Sequence, residues 1–303
     1  MGMKITFRAT GEGRVDNLLR QLVKVAKNCN QESIRTRWRY YHSMRQFLRF
    51  CAERYNLQKI QNIAPKHLEA YVAYRRESGI SEKTLKGDLA AVRFWHNQIP
   101  GVRHQLPDNR ALGLQKTGAH EDRAWTDAEY RKLVDLAYRL GRVEIARAME
   151  LARETGLRLH EAYRLDRAAA ERALRTGVLT VKGKGGLVRE VPVTPRAAEV
   201  LREAAADVPP GAKLFVAANQ KTHRAMQSCK DFIRRHRHQV ADSPERAKEL
   251  AARRVGFHGL RHSFARQEFY SRGGDAAAKK DVAELLGHHR PRVTDAYLAR
   301  REG

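Results

Sequence analysis

Six residues in the second half of the chain can carry charge or move a proton: Arg158, Lys184, His258, Arg261, His288 and Tyr297. Tyrosine is a nucleophile. Histidine takes or gives protons, lysine can serve as an acid, and the arginine fork grips anionic oxygens in pairs. These types suit attack on a phosphodiester. That reaction needs a nucleophile, a proton acceptor, an acid for the leaving oxygen and cations for the growing charge. A free phenol has a pKa of about 10, so only about 0.1% of it is phenolate at pH 7. Neighbouring cations and a base must therefore help. The charge balance agrees: 59 Lys and Arg against 34 Asp and Glu leave a net +25 over 303 residues. So large an excess calls for an anionic partner, with nucleic acid first. A membrane surface fits less well, because no single helix joins a lysine face to a Trp/Leu face.

Other chemistries fall away. Gly183-x-Gly185 lacks the third glycine of a dinucleotide loop, and no G-x-x-x-x-G-K-[ST] nucleotide cradle occurs. No carboxylate cluster marks a Mg²⁺ nuclease. His288 and His289 are adjacent, so on a helix they point about 100° apart and cannot readily share an ion. Cys29, Cys51 and Cys229 are scattered without ligand spacing and read as reduced thiols. The expectation is no metal, no cofactor and no membrane span. With no apolar leader near Met1, the chain is expected in the cytoplasm, associated with the nucleoid.

Taken singly, these residues carry little weight. H-x-x-R alone occurs four times, at His42/Arg45, His120/Arg123, His258/Arg261 and His289/Arg292. Their order and context carry more. Thr155-Gly156-Leu157-Arg158-Leu159-His160-Glu161 reads as a helix stop followed by a helix start. Lys184 sits on a hairpin turn. His258-Gly259-Leu260-Arg261-His262-Ser263-Phe264-Ala265 opens a helix, and Leu285-Leu286-Gly287-His288 stands nine positions before Tyr297. This conjunction resembles the catalytic domain of the tyrosine recombinases, the phage-type integrase family, over roughly residues 124–300. The N-terminal half is similar to that family's helical core-binding domain only in style.

The resemblance implies roles. Tyr297 would attack the phosphorus and form a 3′-phosphotyrosyl bond. Arg158 and Arg261 would clamp the non-bridging oxygens, and Lys184 would protonate the leaving 5′ oxygen. His258 would share in proton transfer from the tyrosine, His288 would donate to a phosphate oxygen, and Glu161 would orient its neighbours. Lys182 rivals Lys184, since on a strand both point the same way; the turn position favours Lys184. The nine-residue step favours His288 over His289, and Arg290 and Arg292 read as phosphate contacts or solvated charges. The phosphotyrosyl link stores the energy of the broken bond, so no ATP and no metal are expected. The implied activity is site-specific recombination, as in integrating or excising a mobile element. Implied partners are duplex DNA at a core site, further copies of the chain in a tetrameric synapse, and accessory bending or directionality factors. Two alternatives stay open. One is a type IB topoisomerase or hairpin resolvase with the same chemistry; the other is a non-catalytic DNA-binding protein on this scaffold.

The elements that must position these residues are mainly helical, an α+β chain in two domains. Residues 1–100 are expected to form a small helical core-binding (SAM-like) domain, 101–123 a linker rich in Pro and Gly, and 124–303 the catalytic domain. Within the first domain, Ser81 caps a helix whose Leu85, Leu89, Val92 and Trp95 share one face. Lys83, Lys86 and Arg93 lie off that face and are expected to meet DNA phosphates, in a clamp around the duplex. Thr126 with Glu129 forms a capping box. Val178–Lys182, a turn at 183–186 and Leu187–Val193 read as a β-hairpin. Helices are expected near 195–206, 222–240, 244–254, 258–272 and 278–287, with a last short helix holding Tyr297. Only Leu298–Gly303 follows, so a contact in trans is expected to use another element.

Overall fold

The computed structural model describes residues 4–114, 122–183, 186–288 and 293–298. The chain divides into two compact units, 1–118 and 119–303.

The first unit is helical: α1 (Gly13–Asn28), α2 (Ile34–Tyr55), a 3₁₀ turn (Ile60–Asn62), α3 (Pro65–Glu77) and α4 (Glu82–His96). Ser33 and Ser81 cap α2 and α4 by accepting from the backbone N–H three residues on. The expected apolar face of α4, Leu85, Leu89, Val92 and Trp95, is fully buried against Leu18, Leu22, Met44, Phe47 and Leu48. Residues 101–114, expected as linker, instead fold back on this core: Leu112 is buried, and Leu106 and Leu114 pack beside it. Three leucines spaced through a Pro/Gly-rich stretch supply apolar area that a solvated linker would leave in water.

The second unit holds α5 (Asp127–Arg139), α6 (Val143–Thr155), α7 (Leu159–Ala162), α8 (Arg167–Thr176), β1 (Val178–Lys182), β2 (Val188–Pro192), α9 (Pro195–Ala206), α10 (Thr222–His236), α11 (Pro244–Ala252), α12 (Phe257–Ser271), α13 (Ala276–Leu285) and α14 (Asp295–Leu298). The hairpin is antiparallel with Leu179 opposite Val191 and Val181 opposite Arg189. Its inward face is Leu179, Val181, Val191 and, unusually for a charged residue, Arg189. The capping box forms as read: Thr126 N–H donates to Glu129 at 3.0 Å, and Glu129 N–H donates to Thr126 Oγ1 at 3.1 Å. The charged stretch before α12 is a real helix, α11, held to α5 by Arg246 on Glu129. The three cysteines are free and buried. Among the described residues, no helix is long and apolar enough to cross a membrane.

Candidate active site

The site grows from three chain ends that meet. Helix α6 stops at Gly156, whose φ of +61° suits glycine. A Cβ there would sit 2.4 Å from the Phe264 ring, so α12 packs directly on the backbone at this point. The stop releases Arg158 to begin α7. There the Arg158 N–H donates to Glu161 Oε2 at 2.9 Å and its Nη1 donates to Oε1 at 2.8 Å. Arg189 reaches the same carboxylate from β2 with a bidentate fork at 3.0 and 2.8 Å, while its Nε donates to the Leu285 carbonyl at 2.9 Å. Burial opposes charge on Glu161. The arginine donors and the Arg158 N–H outweigh it and hold the carboxyl down to about 2. Glu161 therefore stays ionised and fixes two arginines.

The second end is α12. Gly259 has no room for a side chain, since a Cβ would lie 2.5 Å from the Arg123 carbonyl and 2.9 Å from the Trp125 ring. Trp125 donates from Nε1 to Gly256 O at 2.9 Å, so the strip before α5 presses α12 into place. Arg261 is fully buried. Its Nη1 donates to Gly156 O at 2.6 Å and its Nη2 to Leu286 O, tying the ends of α6 and α13 together. Burial, and then the Arg158 charge, push the guanidinium down to about 10, which leaves it protonated at neutral pH.

The third end carries Tyr297 on α14, 8% exposed. Its ring lies 4.5 Å from that of His262, 4.9 Å from His288 and 5.4 Å from His258, with the Arg261 guanidinium carbon 5.5 Å away. The histidines are driven toward the neutral form. Burial, then neighbouring arginines, pushes His288 down to about 3. His262 falls to about 3 through burial, then His258 and Arg123. His258 is pushed down to about 4 by burial, then by Arg261 and Arg158; the residue is nevertheless exposed by surface area, so solvent screening weakens this shift. A neutral imidazole can accept a phenolic proton.

The structure thus brings together Arg158, Glu161, His258, Arg261, His288 and Tyr297. Lys184 lies outside the described residues, as do His289, Arg290 and Arg292. The residue before Lys184 abuts the site: a Cβ on Gly183 would be 3.3 Å from Glu161 Oε1 and 3.7 Å from Arg158 Nη1. Lys182 is exposed on β1. Three residues join the set that the sequence reading left out: Arg189, His262 and Thr294. His262 was signalled by its place beside Arg261; Arg189, whose partner Glu161 lies 28 positions away, carried no such signal. Among the described residues, no three His, Cys, Asp or Glu side chains are grouped to hold a metal ion.

On α4, Lys83 is exposed and Lys86 half-buried. Arg93 is not the outward charge expected. It donates to Pro107 O at 2.7 Å and to Asn109 Oδ1 at 2.9 Å, bracing the segment that folds back on the first unit. Burial there lowers its pKa.

The model of the phage integrase family matches residues 114–302, and a phage integrase N-terminal model matches 15–101. A tyrosine recombinase XerC of Nitrobacter winogradskyi is 28% identical over 276 residues, covering 85% of this chain and 81% of that protein. A tyrosine recombinase XerC of Pseudomonas aeruginosa (strain LESB58) is 30% identical over 265 residues, covering 81% and 78%. Among solved structures, a lambda integrase dimer bound to a COC′ core site has a similar fold. It aligns with a TM-score of 0.64 at 16% identity, covering 93% of this chain and 94% of that one.

Proposed function

Because this chain belongs to the phage integrase family, a family of tyrosine-type site-specific recombinases, we propose that it breaks and rejoins duplex DNA at a specific core site, with Tyr297 as its nucleophile. The observation that carries the assignment is the packing of the buried Tyr297 ring among the rings of His258, His262 and His288 and the Arg261 guanidinium, with Arg158 beside them.

The Tyr297 oxygen attacks the scissile phosphorus, and its proton passes to His258. The bond from phosphorus to the 5′ oxygen breaks, and that oxygen takes a proton from Lys184. The product is a 3′-phosphotyrosyl bond and a free 5′ hydroxyl. Arg158 and Arg261 face the charge growing on the non-bridging oxygens, and His288 donates to one of them. Attack by a 5′ hydroxyl from another strand reverses each transfer, so the cycle neither consumes nor releases net protons. Lys83 and Lys86 contact the DNA backbone. The core-bound dimer among the structural neighbours supports self-association on DNA, with a tetramer as the exchanging form. Integration or excision of a mobile element, with accessory bending or directionality factors, is the biological role we favour.

The test uses a core duplex selected from a random library and resynthesised with a nick beside the cleavage point. The wild-type protein should form a covalent adduct that survives denaturation. Tyr297→Phe should bind the duplex as tightly and form none. An adduct in the Phe variant would overturn the assignment.

A further inference from the structure

His288 Nε2 lies 3.2 Å from Arg261 Nη2. A guanidinium offers only donors, so Nε2 accepts and carries no proton. The proton of the neutral ring is then on Nδ1, and Nδ1 lies 3.0 Å from Thr294 Oγ1. The hydroxyl oxygen is the acceptor. Thr294 is 0% exposed, so no water competes for its hydroxyl. The same residue grips the nucleophile's helix through its main chain: the Thr294 carbonyl accepts from Tyr297 N–H at 2.8 Å and from Leu298 N–H at 3.2 Å.

We propose that Thr294 is a positioning residue whose hydroxyl holds His288 as the Nδ1–H tautomer while its carbonyl sets the turn that presents Tyr297. The proposal deepens the recombinase reading and rests on it for the catalytic half. Arg261 on Nε2 and Thr294 on Nδ1 together fix which nitrogen of His288 carries the proton. When DNA arrives and His288 takes up a proton from solvent, Nδ1–H remains on Thr294, Arg261 Nη2 gives up its hydrogen bond to Nε2, and the new Nε2–H donates to a phosphate oxygen. Without the hydroxyl, the ring is free to exchange tautomers and to rotate away from Tyr297, which it flanks at 4.9 Å. Burial and then the Arg261 charge keep the ring neutral until that moment. This matters because only a neutral ring has a tautomer to choose.

The experiment compares Thr294→Val, which keeps the shape and loses the hydroxyl, with Thr294→Ser, which keeps the hydroxyl. The first readout needs no DNA. Long-range ¹⁵N–¹H spectra of the full chain, with His288 assigned by its loss in His288→Gln, should show the Nδ1–H form in wild type and in the Ser variant. The Val variant should show the Nε2–H form or a mixture. The second readout is single-turnover adduct formation on the nicked core duplex. Val should slow it by about tenfold with DNA affinity unchanged, the scale of one hydrogen bond, and Ser should stay close to wild type. Retention of the Nδ1–H form in the Val variant overturns the proposal, and so does an equal slowing by Val and Ser. A wild-type protein that forms no adduct would instead overturn the recombinase reading and the catalytic half, with the tautomer still decided by the spectra.

Discussion

Two helix starts in the second unit are wired alike and charged differently. At α5, the buried Glu129 caps Thr126 and accepts the fork of Arg246, which also pairs with Glu249 at 2.7 Å. At α7, the buried Glu161 caps Arg158 and accepts the fork of Arg189, but it also takes the Arg158 side chain at 2.8 Å. At the first start two arginines face two carboxylates, because Arg253 also pairs with Glu249 at 2.9 Å. At the second, two arginines face one carboxylate, and Arg261 lies close by. The first is a neutralised bolt between α5 and α11. The second leaves an uncompensated positive field, which an anionic substrate is suited to fill. A single local device serves scaffold and site, and the charge count separates them.

That contrast can be broken by removing an arginine from each. Arg246→Leu leaves the buried Glu129 carboxyl without its counter-charge, so denaturant unfolding should show a loss of about 3–5 kcal/mol. Adding Glu129→Gln, which keeps the cap, should recover part of the loss. Arg158→Ala leaves Glu161 with the Arg189 fork, and the Arg158 side chain is 24% exposed. Its stability cost should stay below about 1 kcal/mol. Cleavage should nevertheless fall by roughly 10²–10³, the effect of losing one donor to developing charge. Equal destabilisation by both variants would mean that α7 is as much a bolt as α5.

Acid sharpens the same contrast. His262 and His288 have folded pKa values well below the ordinary 6.5, so the unfolded chain binds more protons between the two values. Their contribution to stability is fully present above pH 6.5 and is lost as pH falls toward 3. At pH 5 each accounts for up to about 2 kcal/mol, at 1.36 per unit. The Glu161 contribution is fully present above its unfolded value of 4.5 and is lost as pH falls toward 2. Melts between pH 7 and 5 therefore read the lowered histidines, which include His67, His96, His160 and His258 besides these two. A double His262→Asn, His288→Asn variant should flatten that fall, and an unchanged slope would refute the neutral-ring assignment.

The smallest effect concerns the first unit. Each phosphate contact contributes about −0.9 to the slope of log K against log salt. Replacing Lys83 and Lys86 by Gln should flatten the slope by up to about two units. Arg93→Gln should leave it unchanged and instead loosen the segment at Pro107 and Asn109. A change of slope in the Arg93 variant would return that residue to the DNA face.

Legibility in the sequence followed the range of the interactions. The Thr126–Glu129 box, the hairpin and the caps of α2 and α4 span a few residues each, and their residue types announce them. Arg158, His258, Arg261, His288 and Tyr297 were readable as an ordered pattern, and the structure brings them together. Arg189 was not readable, because its meaning depends on Glu161, 28 positions away. On β2 the inward parity held Val191 and Arg189 while the apolar Val188 turned outward, 57% exposed. Alternation alone cannot tell that a buried carboxylate is waiting for the charge. Thr294 is legible only once His288 and Tyr297 are placed around it. The fold-back of 101–114 was hidden by Pro and Gly, which mark irregular backbone whether it is solvated or packed.

Arg261 also bears on how the domain is made. Its donors end two helices, at Gly156 O across 105 residues and at Leu286 O across 25. Before α12 docks, those carbonyls have only water, and the arginine has no reason to leave it. Closing so long a loop is costly and gains little until the packing around Phe264 and Leu286 forms with it. Assembly of the catalytic centre and closure of the domain core are therefore one cooperative event, and a half-folded chain has no cutting site.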